Sequence, residues 1–145
     1  PCFYRFLTGR ELVMDSAALG KVAGRDRRPR VDSILDKVGL LGAADRRIET
    51  YSKGMLQRVG MAQALVHDPD LVILDEPCAG LDQDGLHLLS RILEDRRRQG
   101  KTVLLTSHLF WFHALVCDRW IFLEQGRAQT NSGETALPLG QEVSP

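Results

Sequence analysis

The chain reads as an α/β protein: a partial parallel sheet built late in the sequence, preceded by a small all-helical piece. Three observations carry this. Residues 71–75 (LVILD) and 102–106 (TVLLT) are continuous apolar runs without alternation, the pattern of parallel strands buried on both faces. Between them, residues 82–98 hold Leu86, Leu89 and Leu93 at helical spacing. Residues 8–67 read as helices interrupted by Gly20, Gly24, Pro29 and Gly39.

The elements follow in order. Thr8 with Glu11 three positions later forms a capping box, so a helix is expected over 8–20, with Leu12, Met14, Ala18 and Leu19 on its apolar face. A loop over 23–29 ends at Pro29. A second helix, about 30–38, then places Val31, Ile34, Leu35 and Val38 together and stops at Gly39. Residues 40–50 are short and irregular. Ser52 is placed to cap a third helix running to about His67, with Leu56, Val59, Ala62 and Leu65 inside. Asp68-Pro69-Asp70 is a turn into the first strand. Asp82 caps the helix 82–98, which Gly100 closes. The second strand follows, then a short helix over 109–117 and a hairpin (119–124 with 127–130) turning at Gln125-Gly126. This gives three parts: a helical subdomain over 1–50, an α/β core over 51–130 and a loose tail over 131–145.

The 145 residues suffice for one modest domain with a real core, and 43% hydrophobic with 26% charged residues is ordinary for a globular protein. Formal net charge is zero, so bulk electrostatics give no case for nucleic acid. The basic clusters RDRRPR (25–30) and RRR (96–98) read as solvated surface, the second favourable against the end of a helix dipole. Cys2, Cys78 and Cys117 are odd in number and widely spaced, which argues against a disulfide scaffold or zinc site and for a reducing compartment. The longest apolar stretch, LFWFHALVC, is too short to span a bilayer, and no signal peptide is visible.

Chemistry concentrates at strand ends. Asp75 and Glu76 close the first buried strand at its carboxyl edge, where open α/β sheets bind ligands. One acid there can hold Mg²⁺ and its neighbour can orient or deprotonate water. Two solvated acids are the bland alternative. Ser107-His108 ends the second strand, and a histidine at the edge that carries two acids can bond a terminal phosphate. In YSKGM (51–55), Ser52 explains a cap, but Gly54 in the first turn calls for a close backbone approach. A helix N-terminus suits phosphate, and Lys53 adds charge.

Together these segments resemble the nucleotide-binding domain of ATP-binding cassette (ABC) transporters, over roughly residues 1–130. The signature segment YSKGM, the Walker B strand LVILDE, the D-loop AGLD and the switch histidine in TSH stand in the family's order and spacing. The resemblance implies a P-loop NTPase-like partial sheet with an N-terminal helical subdomain, in the trailing part of a cassette. It implies ATP and Mg²⁺ as cofactors, Asp75 on the metal, Glu76 and His108 as catalytic residues, and Ser52, Lys53, Gly54 and Asp82 at the nucleotide. It implies a transmembrane permease and a second cassette as partners, no nucleic acid, and a place on the cytoplasmic face of the membrane. Tyr51, Lys53 and Met55 depart from the commonest signature, LSGGQ, in a manner similar to bacterial multidrug-type exporters, so export is the expected direction.

The family's P-loop, G-x-x-x-x-G-K-[ST], is absent. Gly20-Lys21 is followed by Val22, and Gly100-Lys101-Thr102 has Asp95 where the first glycine belongs and lies between helix and strand in the wrong order. No Q-loop glutamine is identifiable. The chain opens on Pro1, mid-pattern, so it is expected to be a C-terminal portion that alone turns over little or no ATP. Two other readings compete. One is a non-catalytic regulatory or degenerate cassette, against which Glu76 and His108 argue and for which the absent P-loop argues. The other is half of a chromosome-maintenance or DNA-repair ATPase, which needs a heptad coiled coil before the signature, where this chain has glycines and a proline.

Overall fold

The computed structural model describes residues 6–131, which fall into two compact units meeting in sequence between Thr106 and Ser107. The first unit contains α1 (Gly9–Leu19), α2 (Gly24–Lys37), α3 (Lys53–Leu65), β1 (Leu71–Asp75), α4 (Gln83–Arg98) and β2 (Thr102–Thr106). Two 3-10 turns, Leu41–Ala43 and Ile48–Thr50, join α2 to α3. The second unit contains α5 (Phe110–Val116) and a hairpin of β3 (Trp120–Glu124) and β4 (Arg127–Asn131). The tail expected beyond 131 lies outside the described residues.

The capping box on α1 is formed: the Thr8 amide donates to Glu11 Oε2 at 2.8 Å, and the Thr8 hydroxyl accepts from the Glu11 amide at 3.2 Å. Its buried stripe is Gly9, Leu12, Val13 and Ala17; of the expected Leu12, Met14, Ala18 and Leu19, Leu12 is buried, Met14 and Ala18 are half-buried and Leu19 is 85% exposed. The reason is a close approach. A Cβ on Gly9 would fall 2.2 Å from the Tyr51 hydroxyl, so Gly9 turns its side of the helix inward, and residues three, four and eight positions on follow. Helix α1 packs on α2 and α3. Ser16 on its inner side accepts from Gln63 Nε2 of α3 at 3.0 Å. Arg10 pairs with Asp45 at 2.7 Å and with Asp32.

Helix α2 starts six residues before the expected position, and Pro29 lies inside it. Proline reads as a stop in the sequence, but near a helix start its missing N–H forfeits one bond only. Burial of Val31 and Leu35 outweighs that loss. The predicted stop is formed: Gly39 has φ +68°, its amide donates to Asp36 O at 2.8 Å and the Leu40 amide to Leu35 O at 2.7 Å, a Schellman motif. Helix α3 begins where expected; Val59, Met61 and Ala62 are its buried residues, while Leu56 and Leu65 are half-buried.

Strands β1 and β2 pair in parallel, Leu71 with Thr102 through Asp75 with Thr106. Helix α4 packs on β2 and buries Gly85, Leu89, Leu93 and Arg96. The strands are not buried on both faces. Val72 is buried, but Leu71, Ile73 and Leu104 are 54%, 66% and 58% exposed. Among the described residues of this unit nothing packs over that second face, so the alternation absent from the sequence reappears in the exposure.

Arg96 corrects a second expectation. It is not solvated surface but 7% exposed. Its Nη1 donates to Asp68 Oδ1 at 2.5 Å and its Nη2 to the Pro69 carbonyl. The turn before β1 is thereby tied to the last turn of α4, and Lys101 joins by pairing with Asp70 at 2.6 Å.

In the second unit the hairpin turns as predicted, with Gln125 at φ +48° and Gly126 at φ +74°, both left-handed as a two-residue loop of this kind requires. Phe110 of α5 stacks on Phe122 of β3 with ring centroids 4.9 Å apart. No described helix is long and apolar enough to cross a membrane.

Candidate functional site

The parallel register sets the site. It brings the last residue of β1, Asp75, beside the last residue of β2, Thr106. The Thr106 hydroxyl donates to Asp75 Oδ1 at 2.5 Å and accepts from the Glu76 amide at 3.0 Å. The same amide also reaches the Thr106 carbonyl at 3.1 Å. Thr106 therefore touches both acids.

Glu76 has φ +46°, in the left-handed region that costs an ordinary residue about 1–2 kcal/mol. Its peptide is held from several sides. Besides the bonds to Thr106, its carbonyl accepts from the Ala79 amide at 3.0 Å and from Gln57 Nε2 of α3 at 3.3 Å. The strand thus ends by turning sharply at the second acid, with Pro77 and Cys78 buried behind it.

The start of α3 packs against the loop that follows. Ser52 caps the helix, its hydroxyl accepting from the Met55 amide at 3.2 Å. A Cβ on Gly54 would stand 3.1 Å from the Gly80 carbonyl oxygen, and one on Gly80 only 2.7 Å from Lys53 Cδ. The close approach that Gly54 foretold is therefore made by the backbone of Gly80, itself at φ +78°. The stem of Lys53 lies over that glycine. Asp82 caps α4, its Oδ1 accepting from the Gly85 amide at 2.8 Å.

Of the residues singled out in the sequence, Ser52, Lys53 and Gly54 gather on the loop at Gly80, and Gln57 links the same helix to Glu76. Asp75 and Glu76 gather on Thr106. Asp82 sits one residue beyond this loop as a cap. His108 belongs to the second unit, between the end of β2 and the start of α5. Sequence reading missed Thr106, Gln57 and Gly80. A hydroxyl at the end of the second strand was the signal for Thr106, since parallel pairing was already expected there.

Among the described residues no cluster of three or more histidines, cysteines or acids stands ready to cage a metal. The donor set suits Mg²⁺ in its usual manner, one carboxylate supplemented by water and phosphate oxygens. Asp75 is exposed, and its Oδ2 has no hydrogen-bond partner among the described residues.

The family model described as ABC transporter matches residues 3–79. An uncharacterized ABC transporter ATP-binding protein of Nostoc is 42% identical over 128 residues, 87% of this chain and 38% of that protein. The Nod factor export ATP-binding protein I of Rhizobium meliloti is 37% identical over 120 residues, 83% of this chain and 36% of that protein. A solved ATP binding subunit of an ABC transporter superposes with a TM-score of 0.80 at 27% identity, covering 90% of this chain and 55% of that one. The chain spans about two fifths of the length of the curated relatives it matches.

Proposed function

Since the chain belongs to the ABC transporter family, among its ATP-binding proteins, we propose that it is the trailing part of a cassette that hydrolyses ATP to drive export. The observation that carries this reading is the packing of the signature segment against the acid-bearing loop: Gly54 on Gly80 and Gln57 on Glu76. A helix N-terminus suited to phosphate and a carboxylate suited to water thus belong to the same compact unit.

In this reading Asp75 would hold Mg²⁺, which would supply charge neutralisation to the phosphates of the nucleotide. Glu76 orients the attacking water and takes its proton as the bond between the γ-phosphorus and ADP breaks. His108 bonds the terminal phosphate. Ser52, Lys53 and Gly54 meet the nucleotide of a second cassette, and Asp82, the cap of α4, is read as a further nucleotide contact. Residues 1–50 form the subdomain that faces a transmembrane permease, and 51–130 the core that faces nucleotide, so the protein works at the cytoplasmic face of the membrane. The Rhizobium relative's name supports export, as does the variant signature.

The 145-residue sequence contains no P-loop to cradle phosphate, so its own turnover is expected at background. The test is a graft: the matching 128-residue segment of the Nostoc relative is replaced by that of this chain, the rest of the relative being kept. ATP turnover at the relative's level, falling by about 10²–10⁴-fold in Glu76→Gln, is the expected result. A folded graft that binds nucleotide and does not hydrolyse it would overturn the catalytic reading in favour of a regulatory module. Turnover by the ungrafted chain at a complete cassette's rate, lost in Glu76→Gln, would overturn the expectation of inactivity.

A further inference from the structure

We propose that Thr106 is a positioning residue that fixes the Asp75 carboxylate for its cation; the proposal rests on the reading of Asp75 as the metal-holding acid. The direction of the hydrogen bonds follows from chemistry. A backbone N–H can only donate and an ionised carboxylate can only accept. The Thr106 hydroxyl has a single proton. It accepts from the Glu76 amide at 3.0 Å, so its proton goes to Asp75 Oδ1 at 2.5 Å. One carboxylate oxygen is thereby committed and the rotation of the group is set, leaving Oδ2 for the cation.

The same hydroxyl helps hold Glu76 at φ +46°, so one side chain registers both acids against each other. A bond from hydroxyl to carboxylate is charge-assisted and directional. Outer partners of this kind are worth about 10–100-fold in metal affinity when removed. Thr106→Val keeps the shape and deletes the donor. Thr106→Ser keeps the donor and deletes the methyl.

The experiment uses the full 145-residue chain with Mn²⁺ alone as probe, titrated into the millimolar range while paramagnetic broadening of the amide signals of residues 74–77 is followed. The wild type, Thr106→Ser, Thr106→Val, Thr106→Ala and Asp75→Asn are compared, and unchanged spectra elsewhere report an intact fold. The proposal expects wild type and Thr106→Ser to broaden at the same Mn²⁺ concentration, Thr106→Val and Thr106→Ala to need about tenfold more, and Asp75→Asn to show none. If Asp75→Asn abolishes broadening but neither Thr106→Val nor Thr106→Ala shifts it, the role of Thr106 falls and the metal reading of Asp75 stands. If Thr106→Ser weakens binding as much as Thr106→Val, packing rather than hydrogen bonding is at work and the proposal is overturned. Broadening that Asp75→Asn leaves unchanged would overturn the metal reading and this proposal with it.

Discussion

Replacing Arg96 with methionine keeps a long unbranched stem and removes only the guanidinium, so it isolates the latch between α4 and the turn before β1. Two bonds disappear, one to Asp68 Oδ1 at 2.5 Å and one to the Pro69 carbonyl. Bonds of this kind are worth about 1.5–3 kcal/mol each when the partners are dry. Asp68 is 43% exposed and keeps Lys101 at 3.6 Å and Arg30 at 3.9 Å, so its share shrinks to about 1 kcal/mol or less through solvent screening. The Pro69 carbonyl loses its bond, costing about 1–3 kcal/mol. Against this, Arg96 itself is desolvated, and its Nε has no hydrogen-bond partner among the described residues, so removing the charge returns about 1–2 kcal/mol. The net expectation is a loss of about 1–2 kcal/mol, seen as a lower urea midpoint by far-ultraviolet circular dichroism. Arg98→Met, at an arginine 70% exposed, should cost no more than about 0.5 kcal/mol. Asp68→Asn should cost less in the Arg96→Met background than alone. If Arg96→Met matches Arg98→Met, or if the two substitutions add without coupling, Arg96 is an ordinary helix-end cation and the latch argument is wrong.

Further expectations concern acid and the glycine loop. At Asp68 burial pushes the carboxyl up, but the Arg96 hydrogen bond, with Lys101 and Arg30, prevails and holds it below the usual range; at Asp45 the Arg10 hydrogen bond acts the same way. A depressed carboxylate contributes stability that is present above its unfolded value of about 3.9 and lost as pH falls through the folded one, so the urea midpoint should drop on acidification below about pH 4. The Asp68→Asn chain should show a shallower drop; an equal one would remove Asp68 from the explanation. Gly80→Ala should cost about 1–2 kcal/mol, because φ +78° strains any residue with a Cβ. The Lys53 stem, being flexible, moves aside at little cost. A neutral Gly80→Ala in urea unfolding would show that the loop adapts.

Features set by a few adjacent residues were legible. Thr8 with Glu11, Ser52, Gly39 and Gln125-Gly126 each declare a cap or turn within four residues, and each is formed. What depended on distant partners was not. Arg96 sits in a run of three arginines, and its contacts with Asp68 and Pro69, 28 and 27 residues away, set it apart. The inward stripe of α1 is dictated by Tyr51, and the role of Thr106 by strands 30 residues apart. At the site, the acids and the glycine of the signature segment were readable as chemistry. The residues that hold them were not, because a threonine and a glutamine carry no marking until the fold brings them near.

The open face of the short sheet has a consequence for the 145-residue chain handled by itself. Leu71, Ile73 and Leu104 stand side by side on paired strands, the kind of surface that chaperones and proteases read as folding left unfinished. Concentrating two such chains together should favour association through these faces.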